Sequence, residues 1–155
     1  ERVSLSESMA ICRYLAHNFS DGQFAVPDSP EAFAKEDEWC AYIHDEIDET
    51  GLYVMRRHGD LDSIYRESPE VSAAAASYVS RHFEVIAGWL ADDNTLMPSG
   101  FGLADVLLMS CLDWAIAYGV ALPPALQGYY GCHNTRPAYQ RAMRINYPGL
   151  FGGDA

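Results

Sequence analysis

The first stretch that could do chemistry is LSESMAICRYL at residues 5–15, where Ser6, Glu7 and Ser8 stand at the expected start of a helix. Ser6 is a good N-cap residue, and Glu7 suits the first turn beside the helix dipole. A helix N-terminus holds a carboxylate readily, because its first backbone N–H groups are unpaired. The Ser8 hydroxyl could donate and the Glu7 carboxylate could accept, which suits a zwitterion of the amino-acid kind. From these residues alone, an ordinary capped helix is the competing interpretation.

A second candidate is Asp105, which lies three residues after Gly102 at the expected start of an apolar helix. A carboxylate at this position can accept a hydrogen bond from the unpaired backbone N–H of the cap residue. The alternative is a buried catalytic acid. The position favours the structural cap.

An acidic run at residues 45–49 is the third candidate, because Asp45, Glu46, Asp48 and Glu49 directly follow His44. Carboxylates three and four residues apart share one helix face and could ligate a metal ion. A di-metal site also needs a Glu-x-x-His pair on a second helix, and the sequence has none. The run is therefore interpreted as a solvated helix face, and no metal is predicted.

The remaining reactive residues form no recognisable motif. The five histidines are scattered, no GxSxG nucleophile motif occurs, and residues 56–58 read as a solvated basic helix end. The four cysteines lack CxxC or zinc-finger spacing. Their apolar neighbours favour buried free thiols in a reducing compartment, so the cytoplasm is predicted; one disulfide pair is the alternative.

The bulk composition bounds the protein class. The chain has 155 residues, enough for one domain, and 49% hydrophobic residues can bury a core. A formal net charge of −12 repels phosphate backbones and anionic membrane surfaces. No nucleic-acid or membrane partner is therefore predicted.

The elements that must position these residues are all helices, apart from a possible strand stub at residues 2–3. Ser-Pro-Glu at residues 29–31 and again at 68–70 is a helix-start signal. The predicted helices run over about residues 7–19, 30–57, 69–90, 103–118 and 137–145, with a short one starting at the Pro123-Pro124 pair. The helix at 30–57 has a possible kink at Gly51, and Asn134 or Thr135 opens the one at 137–145. The segment at 103–118 is apolar nearly all round, which is typical of a central bundle helix.

Four motifs together resemble the cytosolic glutathione S-transferases, in particular bacterial, beta-like members. LSESMAICRYL resembles the signature that closes their thioredoxin-like N-terminal domain. EWCAYIHDEI resembles the first helix of their all-helical domain, LADVLLMSCLDWA the central helix, and TRPAYQRAM a later helix. The resemblance implies a remnant of the thioredoxin-like domain at 1–19, a linker at 20–29, an all-α C-terminal domain at 30–148 and a tail at 149–155.

The resemblance also implies roles for individual residues. Glu7 and Ser8 correspond to the pair that holds the γ-glutamyl end of glutathione. Glu46 corresponds to a position that can reach the γ-glutamyl amine across a homodimer. Trp114 corresponds to an aromatic wall of the hydrophobic co-substrate pocket, and Asp105 to the structural cap. The wider list of pocket candidates is Tyr42, Glu46, Asp48, Tyr53 and Trp114.

Three departures from the family pattern matter. Gly102 stands where a Ser or Thr usually caps the central helix, and Asp48 stands where beta-like members often carry a His. The thioredoxin-like domain, which supplies the thiol-activating Ser, Tyr or Cys, would precede these residues. No catalytic residue is therefore assigned within the 155 residues, which are expected to be inactive alone and to expose an apolar patch near the first helix and Trp114.

The resemblance implies that the intact protein conjugates glutathione, as co-substrate, to a small hydrophobic electrophile. Two other interpretations stay open. One is a non-catalytic docking module of the same fold, and the other is a glutathione-dependent isomerase, dehalogenase or reductase.

Overall fold

The structure, a computed structural model, describes residues 3–20, 22, 24–90 and 94–151, and every regular element in them is a helix. The helices are α1 (Ser8–Phe19), α2 (Pro30–Tyr42), a π segment (Ile43–Leu52), α3 (Tyr53–His58), α4 (Asp62–Tyr65), α5 (Pro69–Trp89), α6 (Leu103–Ala117), α7 (Pro124–His133), α8 (Pro137–Asn146) and a 3-10 turn (Pro148–Phe151). The all-α prediction is confirmed. Val3 is not in a strand, and Arg2 lies outside the described residues.

The Ser-Pro-Glu signals mark two helix starts correctly. At α2 the Ser29 Oγ accepts a hydrogen bond from the Ala32 backbone N–H at 3.2 Å, with Pro30 in the first turn. At α5, Pro69 again opens the helix, although Ser68 makes no side-chain capping bond. Because proline lacks an N–H and has a helix-compatible φ, it suits the first turn of both helices.

The long helix predicted over residues 30–57 is continuous, but its backbone hydrogen-bond pattern changes in the middle. Its middle, Ile43–Leu52, is a π segment rather than a simple kink at Gly51. Gly51 is buried against α5, and a Cβ there would lie 2.3 Å from the Val79 Cγ2 atom. The glycine therefore allows the π segment and α5 to approach closely, and the run ends at Gly59.

Three predicted boundaries were wrong for local reasons. Helix α1 begins at Ser8, and its N-cap is Glu7 rather than Ser6, because Glu7 has a φ of 66° that cannot continue a helix. Arg136, not Asn134 or Thr135, precedes α8. Asn134 is the C-cap of α7, and the Thr135 hydroxyl donates to the Cys132 carbonyl at 2.9 Å, so these two residues close α7 instead. The third difference is the gap between the predicted helices over 30–57 and 69–90, which contains the short α4.

Helix α6 is the centre of the bundle, as its apolar composition predicts. Leu108 and Leu112 of α6 are fully buried in one cluster with Ile47 of the π segment and Phe83 of α5. Helix α1 is tied to the bundle by Arg13, whose guanidinium lies 3.1 Å from the Glu36 carboxylate and 2.5 Å from that of Asp37. None of the described helices combines the length and the hydropathy that a membrane span needs.

The predicted apolar patch is present on α1. Its exposed apolar side chains are Ile11, Tyr14, Leu15 and Phe19, with Phe19 70% exposed, and Leu5 just before the helix is exposed as well. Near Trp114, which is half-buried, Ile116 is 45% exposed. Met9 and Cys12 pack against the core instead, so α1 has one face on the bundle and one open apolar face.

Candidate functional site

The start of α1 presents Glu7 and Ser8 on the surface. Both residues are exposed, and the Glu7 side chain makes no capping bond. The Glu7 carbonyl accepts from the Ile11 N–H at 3.0 Å, so the first helical hydrogen bond leaves the earlier N–H groups of the helix without helical acceptors. The chain therefore offers backbone donors, a hydroxyl and a carboxylate at one exposed point.

Glu7 holds a strained backbone conformation there. Its φ of 66° and ψ of 121° lie in a region that residues with a Cβ rarely adopt. Such strain costs on the order of 1–3 kcal/mol and is concentrated at binding and catalytic sites. The conformation turns the chain sharply into α1, and it sets the direction from which the Glu7 side chain leaves the helix start.

Glu46 lies on a different element, the π segment, which packs against α5. Its Oε2 atom accepts a short hydrogen bond from the Tyr78 hydroxyl, and the same atom lies 4.0 Å from the His82 Nε2. The His82 Nδ1 lies 2.6 Å from the Tyr42 hydroxyl. Tyr42, Glu46, Tyr78 and His82 thus form one hydrogen-bonded cluster, named here the Glu46 cluster, which joins α2 and the π segment to α5.

An aromatic groove continues from the Glu46 cluster towards the end of α5. The Tyr42 ring packs 5.5 Å from the Trp89 ring, which lies 5.6 Å from that of Trp39. A groove of about 400 Å³ is lined by Lys35, Glu38, Trp39, Trp89 and residues 95–98. Trp89 is 57% exposed, so this groove presents an aromatic side chain to solvent beside the Lys35–Glu38 ion pair.

The other pocket candidates lie elsewhere. Asp48 lies near Cys111 of α6, and burial raises the pKa of the Asp48 carboxyl. Burial also raises the pKa of the Cys111 thiol, and the negative charge of Asp48 raises it further. Trp114 packs 5.8 Å from the Tyr118 ring, and the Tyr118 hydroxyl donates to the Asp60 carboxylate at 2.6 Å. Asp48 and Trp114 therefore share the α6 side of the bundle, whereas Tyr42 and Glu46 share the α5 side.

Tyr53 has a third environment at the end of the long helical run. Its ring lies 4.6 Å from the guanidinium of Arg57, which is also 5.5 Å from the Tyr65 ring. The cation is thus held between two aromatic rings. The five pocket candidates do not converge on a single cavity in the part of the chain that the structure describes.

Asp105 is a fully buried cap, as the sequence predicts. Its carboxylate accepts from the Gly102 N–H at 2.9 Å, the Leu96 N–H at 2.9 Å and the Tyr129 hydroxyl at 2.7 Å. Burial raises the pKa of Asp105, although these three donors oppose the shift. With every nearby donor internal to the protein, this carboxylate is arranged for structure rather than for a reaction.

A second carboxylate at the same helix start is Glu36, which the sequence reasoning missed. Glu36 is buried beside the Leu103 backbone, and burial raises the pKa of its carboxyl while the Arg13 charge opposes the rise. A Cβ on Gly102 would lie 3.1 Å from the Ala25 carbonyl oxygen and 3.4 Å from the Glu36 Oε1. A Cβ at this helix start, where the resemblance implies a Ser or Thr, would therefore be crowded by the Ala25 carbonyl.

No family model matches the chain, and no curated protein matches it. Solved structures do. A beta-class glutathione S-transferase of Sphingomonas chungbukensis is similar with a TM-score of 0.75 at 23% identity, over 92% of this chain and 68% of that one. A theta-class glutathione S-transferase of Xanthomonas axonopodis pv. citri gives 0.71 at 26% identity, over 88% and 73%. Ure2p5 of Phanerochaete chrysosporium, cocrystallized with 1-(S-glutathionyl)-2,4-dinitrobenzene, gives 0.82 at 13%, over 97% and 72%.

The chain has the fold of the glutathione S-transferase helical domain. Within that fold, Glu7 and Ser8 lie at the start of α1 and Glu46 faces α5, so the anchor residues assigned by resemblance lie on separate elements. No three of the described His, Cys, Asp and Glu side chains are grouped as metal ligands.

The glutathione S-transferase fold also brings together residues that no motif indicated. In the sequence, Tyr78 belonged to the apolar periodicity of α5, and His82 belonged to the same pattern and to the five scattered histidines. Their spacing of four residues puts them on one helix face, which is a usable signal. The partner of that face, Glu46, is 32 residues away from Tyr78 and lies within the π segment, so its identity depends on the tertiary packing.

Proposed function

We propose that this protein binds glutathione and, in its full-length form, conjugates it to a small hydrophobic electrophile. The observation that carries the proposal is the exposed start of α1, within a glutathione S-transferase fold, where the Glu7 and Ser8 side chains have no hydrogen-bond partner among the described residues. One solved neighbour holds a glutathionyl-dinitrobenzene product, which supports an aromatic electrophile as the substrate class.

Glutathione's γ-glutamyl end is an α-amino acid, so it needs both donors and an acceptor. In the proposal, the free backbone N–H groups and the Ser8 hydroxyl bind its carboxylate, and the Glu7 carboxylate accepts from its ammonium group. Glu46 supplies a second carboxylate to the ammonium group across a homodimer. Exposed Trp89 and the aromatic groove beside it support such a self-association.

The electrophile would lie on the α6 side of the bundle. Trp114 is half-buried there and could stack on an aromatic ring, with Asp48 and Tyr118 nearby. Tyr42 and Tyr53 remain candidates for the edges of this wall. The thiol-activating residue is assigned to a thioredoxin-like domain outside these 155 residues, with residues 1–19 as its last part, 20–29 as a linker and the all-α domain at 30–148. The free thiols of the described cysteines support a cytoplasmic location.

The proposal is tested first by glutathione binding to the full-length gene product that contains these residues. Isothermal titration should show that Glu7→Gln weakens glutathione binding by about tenfold or more, because a charge-assisted hydrogen bond is worth roughly 1.5–3 kcal/mol. Glu31→Gln is the matched control, since Glu31 is an exposed carboxylate in the first turn of α2. Unchanged affinity in Glu7→Gln would remove Glu7 from the site.

Turnover separates the proposal from its alternatives. The full-length product should conjugate glutathione to a dinitrophenyl electrophile, whereas the 155-residue chain alone should show no turnover above the uncatalysed rate. Substantial turnover by the 155 residues alone would contradict the assignment of the thiol-activating residue. No retention of the full-length product on immobilised glutathione would favour the docking module, and retention without conjugation would favour a glutathione-dependent isomerase, dehalogenase or reductase.

A further inference from the structure

The two carboxylate oxygens of Glu46 have different environments. Oε2 accepts from the Tyr78 hydroxyl and faces the His82 Nε2 at 4.0 Å. Oε1 has no hydrogen-bond partner in the part of the chain that the structure describes, and the side chain is 39% exposed. One oxygen is therefore held by the protein, and the other is available to a ligand.

The Tyr78 side chain that holds Oε2 is itself held in place. Its ring lies 4.3 Å from the His82 ring on one side, and the Arg81 guanidinium lies 5.5 Å from its centre. The Tyr42 hydroxyl lies 2.6 Å from the His82 Nδ1, so the histidine ring is fixed in turn from α2. The hydrogen bond to Glu46 raises the pKa of Tyr78, which keeps its hydroxyl protonated as the donor.

We propose that Tyr78 is a positioning residue, which fixes Glu46 Oε2 so that Oε1 is presented to the ammonium group of glutathione's γ-glutamyl end. The proposal rests on the glutathione-binding function given above and adds the residue that orients its second carboxylate. A free glutamate loses rotamer entropy when it binds a cation, and an oriented one has already lost it. Tyr78 therefore acts through Glu46 and does not touch glutathione.

The effect of Tyr78 should be specific for ligands that carry the amine. Isothermal titration of the full-length gene product compares glutathione with its γ-desamino analogue, in which hydrogen replaces the ammonium group. Tyr78→Phe keeps the ring against His82 and removes only the hydroxyl. It should weaken glutathione binding by about three- to tenfold, as expected for one hydrogen bond, and leave the analogue's affinity unchanged.

Matched variants and kinetics separate positioning from a general structural role. Tyr147→Phe, at a 55% exposed tyrosine, should change neither affinity, and Glu49→Gln is the charge-matched control for Glu46→Gln. In steady-state assays, Tyr78→Phe should raise the KM for glutathione while kcat stays within about twofold, because the interaction is made equally in ground and transition states. Equal losses for glutathione and the analogue would mean a structural role and overturn the proposal.

The remaining outcomes distinguish this proposal from the function on which it rests. If Glu46→Gln abolishes the preference for the amine and Tyr78→Phe does not, the positioning role is wrong and the glutathione site stands. If the unaltered protein binds neither ligand, both proposals fail. A further measurement on the 155 residues avoids the Tyr78→Phe variant and so does not depend on its folding. In a ¹³C NMR titration, Glu46→Gln should lower the pKa of Tyr78. An unchanged pKa would overturn the proposal.

Discussion

The starts of α6 and α1 both present backbone N–H groups that have no acceptor within the helix, but the surroundings of these groups differ. At the start of α6, the Asp105 carboxylate is fully buried and accepts three hydrogen bonds from within the protein. At the start of α1, Glu7 and Ser8 are exposed, and no side chain caps the helix. A helix start whose donors are satisfied internally stabilises the fold, whereas one left open can bind an external carboxylate.

The difference also appears in the backbone. Gly102, which precedes α6, has an extended conformation and lies against the Ala25 carbonyl, so the chain is unstrained but crowded. Glu7, which precedes α1, has a φ of 66° and lies in the open. Arg66, which follows α4, is also exposed and has a similar φ of 68°, so a positive φ alone does not mark a binding site. The start of α6 is therefore held by contacts within the protein, whereas the start of α1 is open to solvent.

The largest expected effect is at Asp105. Asp105→Ala should lower the free energy of unfolding by ~4 kcal/mol, because it leaves two buried N–H groups and the Tyr129 hydroxyl without their acceptor. Urea unfolding of the 155-residue chain measures the change. Glu7→Ala is the matched variant at α1 and should lower the stability by far less. A similar loss in both variants would show that the two helix starts have the same structural role.

The next effect has the opposite sign and occurs at Glu7. Glu7→Gly should raise the free energy of unfolding by about 1 kcal/mol, because glycine adopts a positive φ without strain. The same variant should weaken glutathione binding, since the carboxylate is lost. Thermal unfolding and titration calorimetry together check both parts. A loss of stability on this substitution would show that Glu7 contributes to the fold in a way that its exposed side chain does not reveal.

A smaller loss is expected at the start of α6 when Gly102 is replaced. Gly102→Ser introduces a capping residue that the family resemblance implies, but its Cβ would lie 3.1 Å from the Ala25 carbonyl oxygen. We expect a net destabilisation of about 1 kcal/mol, because the steric cost exceeds the few tenths that separate glycine from serine as a cap. Urea unfolding would show a gain in stability instead if the segment around Ala25 can move away.

The smallest effect concerns the pH dependence contributed by Glu36. Burial raises the pKa of Glu36 above its ordinary value of 4.5, so its contribution to stability is fully present below pH 4.5 and is lost as the pH rises through the raised value. Glu36→Gln cannot titrate. Urea unfolding measures the free energy of unfolding of each protein. The value for the unaltered chain minus the value for this variant should be more positive at pH 4 than at pH 7. A difference that grows towards neutral pH would show that the Arg13 ion pair outweighs burial.

The two helix starts differ in how far the sequence predicted them. The Gly102–Asp105 spacing predicted the cap of α6 correctly, because a capping box is a local contact between residues three apart. The start of α1 was placed one residue early, with Ser6 as the cap, because residue type does not reveal a positive φ at Glu7. The roles of Glu7, Ser8 and the pocket residues stay predictions that the experiments above can test.

By itself, the sequence determined the number and order of the main helices and the central position of α6, because these follow from local periodicity and turn residues. The apolar outer face of α1 was predicted only through the family resemblance, as a surface that a preceding domain would cover. The tertiary structure decided the π segment at Ile43–Leu52, the pairing of Glu46 with Tyr78, and the burial of Glu36 against α6. Each of these depends on contacts between elements that are distant in the chain. Their partners were visible in the sequence, but their juxtaposition depends on how the helices pack.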